Sequence, residues 1–99
     1  MDIYFSPAAQ LELDEAFAYL EGDKTGFGYR FTADVDEALR RIQMYPLAWH
    51  PLGHNLRRCH LKHFRYGVIY RIRGGQAEVI AIAHDSQRLH YWRNRLGAK

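Results

Sequence analysis

Cysteine occurs only once in these 99 residues, as Cys59, so no disulfide can form within the chain and a reducing compartment fits its composition. No apolar run approaches the roughly 20 residues needed to span a bilayer, and the N-terminus has no cationic patch leading into an apolar stretch, which argues against a secretory signal. No repeat or low-complexity tract is present. Acidic residues are scarce beyond residue 37. Residues 38–99 contain two of them, Glu78 and Asp85, against twelve basic residues, a balance of +10. Residues 1–37 contain nine acidic and two basic residues, a balance of −7, and the halves together recover the net +3. The basic half is therefore expected to face something anionic, unless acidic helices and a basic sheet pair with one another inside the domain.

What is abundant is apolar and aromatic. Hydrophobic residues make up 47% of the chain, with seven Tyr, five Phe and two Trp, which predicts an ordered globule rather than a disordered tail. The length suits one domain over residues 1–99. Ile3-Tyr4-Phe5 predicts a short strand. Ser6 then stands at an N-cap position and Pro7 at the first position of a helix. Ala9, Leu13, Ala16, Phe17 and Leu20 recur at helical spacing, with the acidic residues mostly off that stripe, and Gly22 is expected to end the helix. A second helix begins near Thr25-Gly26 and carries the stripe Phe27, Phe31, Val35, Ala38, Leu39 and Ile42. Its carboxylates Asp34, Asp36 and Glu37 precede Arg40 and Arg41, in the order that complements the helix dipole. Pro46 and Pro51 mark a loop over residues 45–53. Three strands follow, joined by turns near His63–Arg65 and at Gly74-Gly75, and a short helix over residues 89–96 closes the chain. The expected fold is α+β: an N-terminal strand and a helical hairpin packed on a small antiparallel sheet, in the order β-α-α-β-β-β-α.

Strand alternation places Arg58, His60 and Lys62 on one face, with Cys59 and Leu61 on the other. On the following strand Val68, Tyr70 and Ile72 share a face opposite Ile69, Arg71 and Arg73. Arg65 and Arg88 extend the cationic surface, and Tyr66, Tyr70, Tyr91 and Trp92 would suit stacked bases beside phosphates. A solubilising outer face on a one-sided sheet accounts for the same pattern. Cys59, His60 and His63, or His50 and His54, lack the matched second pair of a structural zinc site, so no metal or other cofactor is expected. Cys59 reads as a small core residue. His84 ends an apolar strand, where it could serve as an acid or base, or hold the C-terminal segment through a backbone carbonyl or Tyr91.

Taken in order, several short motifs accumulate. They are Phe5-x-Pro7, Gly26-x-Gly28, Ala38-Leu39-x-x-Ile42, Pro46-x-x-Trp49, Arg57-Arg58, Tyr66-Gly67-Val68-Ile69-Tyr70-Arg71, Ile80-Ala81-Ile82-Ala83-His84 and Tyr91-Trp92. The series resembles the RelE/ParE toxin superfamily, the toxin half of bacterial type II toxin–antitoxin pairs, and within it the ParE-like branch. The resemblance implies a cytoplasmic, cofactor-free toxin neutralised by a cognate antitoxin that wraps the helical hairpin and the sheet edge.

The branches of that superfamily differ in mechanism. RelE-like members are ribosome-dependent ribonucleases that cut messenger RNA, whereas ParE-like members poison DNA gyrase. Of the cationic positions of the ribonuclease branch, Arg58 and His60 match the paired basic residues and Tyr91 the terminal tyrosine. Gly67 replaces the third-strand arginine, and Asp85 replaces the arginine beyond the last strand. A glycine brings no charge to a phosphorane and an aspartate repels it. The resemblance therefore implies gyrase, or its DNA complex, as the target, with Arg57, Arg58, Lys62, Arg65, Arg88, Tyr91, Trp92 and Arg93 as the contact surface. A ribonuclease acting on the ribosome and its messenger RNA would use His60, Lys62, His84, Arg88 and Tyr91. A non-toxic relative that only binds antitoxin is the third possibility.

Overall fold

Ser6 sets the entry to the first helix. It follows strand β1 (Ile3–Phe5), its hydroxyl accepts the Ala9 N–H at 3.1 Å, and Pro7 opens helix α1 (Pro7–Asp23). The computed structural model describes residues 1–87 and 91–96. Helix α1 continues through Gly22 to Asp23, one residue past the expected stop. Helix α2 (Phe27–Met44) begins after Gly26, whose φ of 93° lies in the left-handed region that side chains disfavour. Gly26 has no side chain to cap the helix, so Glu21 does it from α1. Its two carboxylate oxygens accept the Gly26 and Gly28 N–H groups at 2.9 Å each, placing negative charge at the positive end of α2.

The sheet contains β2 (His50–Gly53), β3 (Leu56–His60), β4 (Tyr66–Arg73) and β5 (Gln76–His84), in the order β1-β5-β4-β3-β2. Strands β2 to β5 form an antiparallel run, and β1 joins β5 in parallel with Ile3 opposite Ala77. Strand β2 corrects the loop expected over residues 45–53. Pro51 is tolerated there because β2 is an edge strand, where a missing N–H leaves no interior ladder broken. At the other end, a 3-10 turn over Arg93–Leu96 stands within the short helix expected over 89–96, of which residues 89 and 90 lie outside the described residues.

Both faces of the sheet are covered. Against the hairpin, Phe31, Val35, Ala38 and Ile42 of α2 meet Cys59, Val68, Tyr70, Val79 and Ile82 in the main core. On the outer face, Leu56, Ile69, Ile80, Ala81 and Ala83 form a second core with Trp92. A bulge opposite Ile69/Tyr70 allows this division. The extra residue shifts the alternation of β5, so Val79 and Ile82 serve the main core while Ile80 and Ala81 serve the outer one.

Three expectations about the aromatic residues are corrected here. Tyr70 is buried on the helix side, where its hydroxyl donates to the Pro46 carbonyl, and burial pushes its pKa up to about 12. Tyr66 packs edge-on to Phe31 on the same side. Trp92, only 1% exposed, is a core residue of the outer face and not a platform for bases.

Candidate target-binding face

The site starts from the register of three strands. His60 on β3 stands opposite Gly67 on β4, and Gly67 stands opposite Ala83 on β5. Ala83 lines a shallow cleft there, and the Arg58 stem lies over Gly67. Arg58 and His60 rise on one side of the cleft, and the turn after β5, with His84, Asp85 and Gln87, rises on the other. Tyr91 and Trp92 complete its lining, around a volume of about 120 Å³.

Local hydrogen bonds fix that turn. The His84 N–H donates to Gln87 Oε1 at 2.8 Å, and the Asp85 N–H donates to the Arg65 carbonyl at 2.8 Å. The Ser86 N–H donates to His84 Nδ1 at 2.9 Å, and the Ser86 hydroxyl lies 2.7 Å from the same nitrogen. An Nδ1 that accepts a backbone N–H places the neutral ring's proton on Nε2. His84 therefore anchors its own turn and packs edge-on to Tyr66, rather than bonding Tyr91 as one reading of the sequence expected. Across the cleft mouth, His60 Nδ1 lies 3.9 Å from Asp85 Oδ1, with both side chains exposed.

The C-terminal segment is held over the outer face by Glu12 of α1. This carboxylate accepts the Ile82 N–H at 3.0 Å, the Tyr91 hydroxyl at 2.7 Å, and two Arg95 N–H groups at 2.9 and 3.0 Å. Arg95 also donates to the Ile80 carbonyl and lies over the Tyr91 ring. Burial, reinforced by the Glu12 hydrogen bond, pushes the Tyr91 phenol well above its ordinary value. Glu12 was not among the residues expected at the site. Its position three residues after Ala9 and four before Ala16, on the buried stripe itself, is the signal that could have found it.

Of the residues expected at the site, Arg58, His60, His84, Tyr91 and Trp92 come together around the cleft. Arg57 does not join them, because adjacent strand residues point to opposite faces and its guanidinium donates to the Trp49 carbonyl at 2.9 Å. Lys62 lies beyond the end of β3 and reaches Glu37 of α2 at 3.7 Å, so it leaves the cationic face on which alternation had placed it. Arg65 is exposed and lines a separate groove of about 590 Å³ with Leu20, Phe27, Arg30, Phe64 and Tyr66. Arg93 is exposed in the C-terminal turn, and Arg88 lies outside the described residues. Arg71 and Arg73 both pair with Glu78.

Asp34, read in the sequence only as complementing the helix dipole, is buried and accepts the His63 N–H at 2.7 Å, which pins the β3–β4 connection to α2. Cys59 is fully buried, its thiol pushed up by burial. Among the described residues no three His, Cys, Asp or Glu side chains converge as metal ligands, and no helix is long and apolar enough to cross a membrane.

Residues 3–89 match the model of a family described as the ParE toxin of the type II toxin–antitoxin system parDE. Among solved structures, one described as the chromosomal ParDE TA system from P. aeruginosa is similar in fold, with a TM-score of 0.73 and 17% identity. The similarity covers 85% of this chain and 95% of that one. No curated protein matches the sequence significantly.

Proposed function

This chain belongs to the ParE toxin family of type II toxin–antitoxin systems, and on that premise we propose that it arrests growth in the cytoplasm by poisoning DNA gyrase and is neutralised by a cognate antitoxin. The family match over residues 3–89 carries the proposal. The site supports gyrase poisoning over ribonuclease chemistry on three counts. Gly67, beneath the Arg58 stem, supplies no cation to a phosphorane, and Asp85, which lines the cleft, opposes one. The Tyr91 hydroxyl is already spent on Glu12 and is held protonated, which removes it as a ready base. In this reading the target meets the outer face through Arg58, His60 and Arg93, beside the C-terminal segment that Glu12 positions.

The antitoxin is assigned to the opposite side. Leu11, Tyr19 and Tyr29 of the hairpin are more than half exposed, and the groove by Phe27 and Phe64 offers an apolar seat for a partner helix. Strand β1 ends the sheet and leaves an edge for strand addition.

Incubation of the purified chain with gyrase and relaxed plasmid tests the target. The expected result is loss of supercoiling with accumulation of cleaved DNA after detergent treatment. Unimpaired supercoiling, together with cleavage of messenger RNA on ribosomes, would replace this reading with the ribonuclease one. Co-purification with the product of the adjacent open reading frame tests the antitoxin half, and failure to co-purify would count against it.

A further inference from the structure

Among the described residues five arginines are partly buried: Arg41, Arg57, Arg58, Arg71 and Arg95. Four of them have partners, respectively Glu37, the Trp49 carbonyl, Glu78 and Glu12. The Arg58 side chain has no hydrogen bond, ion pair or ring contact among the described residues. Its stem is nevertheless seated. A β-carbon on Gly67 would stand 3.1 Å from Arg58 Cγ and 3.3 Å from Cδ, so the missing side chain of Gly67 is the space in which the Arg58 stem lies. Folding gains little from taking a guanidinium partly out of water without a partner. An anion arriving from outside would complete it.

The surroundings narrow the chemistry of that anion. His60, the His84 ring and Gln87 line the cleft as further polar groups, and Asp85 is its single carboxylate among the described residues, facing His60. A dianion would meet Asp85 unfavourably, whereas one negative charge spread over two oxygens matches the planar fork of an arginine. The positive balance of residues 38–99 is spread along the chain rather than gathered at the cleft, as suits contact with a charged backbone more than with one isolated acid. We propose that Arg58, seated on Gly67, binds one phosphodiester of a DNA backbone, making this cleft the point where the outer face touches nucleic acid. The proposal rests on the reading of the outer face as the target-binding surface and adds the ligand that it holds.

The test is fluorescence anisotropy of a short labelled DNA duplex titrated with the purified chain over a range of salt, with growth arrest scored separately for each variant. Arg58→Ala is expected to weaken duplex binding roughly tenfold at low salt and to reduce the salt slope by about one ion. Gly67→Ala keeps every charge but pushes the Arg58 stem aside, and is expected to weaken binding several-fold without lowering the thermal midpoint. Arg40→Ala removes an equal charge from the exposed face of α2 and is expected to leave affinity within about twofold of the parent. Equal losses for Arg40→Ala and Arg58→Ala, or no loss for Arg58→Ala, would overturn the proposal. Loss of growth arrest in Arg58→Ala with duplex affinity intact would also overturn it, in favour of a carboxylate on a protein partner. A parent chain that binds duplex through Arg58 yet leaves DNA synthesis intact would support the site and sink the gyrase reading instead.

Discussion

The two faces of this sheet are closed by different means. Against the helical hairpin, large side chains from both helices fill the space, and Asp34 is partnered by His63 and Tyr70 by the Pro46 carbonyl, while Arg41 Nη2 is buried without a hydrogen bond among the described residues. On the outer face a short C-terminal segment closes the core, with Trp92 as its one large buried side chain among the described residues. Glu12 holds that segment, and beside it Arg58 is left partly buried and unpaired among the described residues. The first face gathers the larger core. The second leaves chemistry exposed at the edge of a small core, where a partner can use it.

Core truncations should give the largest effects and the clearest test of that contrast. Phe31→Ala is expected to cost about 4 kcal/mol and Trp92→Ala about 3 kcal/mol in urea unfolding, since aromatic truncations fall in this range and the segment around Trp92 packs from one side. A Trp92→Ala loss that exceeded the Phe31→Ala loss would reverse the ranking of the two faces. Glu12→Gln should follow at about 2 kcal/mol, because Arg95 and Tyr91 would lose a charged acceptor in a partly exposed site. It should also expose the C-terminal segment to limited proteolysis while the hairpin stays resistant. Uniform proteolysis of the whole chain would show that Glu12 supports both faces.

Alkaline pH gives a smaller, graded effect. The Tyr91 phenol is held well above its ordinary value and Tyr70 at about 12, so the folded chain keeps protons that the unfolded chain releases near pH 10. Stability is therefore full below pH 10 and falls as pH rises from there toward 12, by up to about 1.4 kcal/mol per pH unit for each phenol. Tyr70→Phe should cost about 1 kcal/mol at pH 8 and flatten that decline. An unchanged slope would mean that the Tyr70 phenol does not contribute to it. The smallest effect is expected of Lys62→Ala, which removes a cation now placed against α2; toxicity within about twofold of the parent is expected from growth curves, since exposed pairs contribute little. Lost toxicity would return Lys62 to the target surface.

The helix starts and the strand faces were legible in the sequence because they depend on near neighbours. Ser6-Pro7 and the α2 stripe act within a few residues of themselves. The outer core was harder to see, since it depends on pairs far apart along the chain, such as Glu12 with Tyr91 and Arg95. Helical carboxylates ordinarily read as solvated, and Glu12 and Asp34 do not advertise partners that arrive from another element. One signal was nonetheless present. The nearly continuous apolar run from Val79 to Ala83 departs from the alternation of a one-sided strand, and runs of that kind accompany burial on both faces. Strand β2 was obscured by Pro51, which is allowed only because the strand is an edge. At the site, the register that sets Gly67 beside Ala83 seats the Arg58 stem next to the cleft, and it follows from strand pairing that only the fold reveals.

The most direct test of the account is pulse-labelling of DNA and protein synthesis in cells within minutes of inducing this chain without an antitoxin. An early fall in DNA synthesis is expected while translation continues, with the fall abolished by Arg58→Ala. An early fall in translation with DNA synthesis intact would contradict it and would make the cleft around His60 and His84 a ribonuclease site.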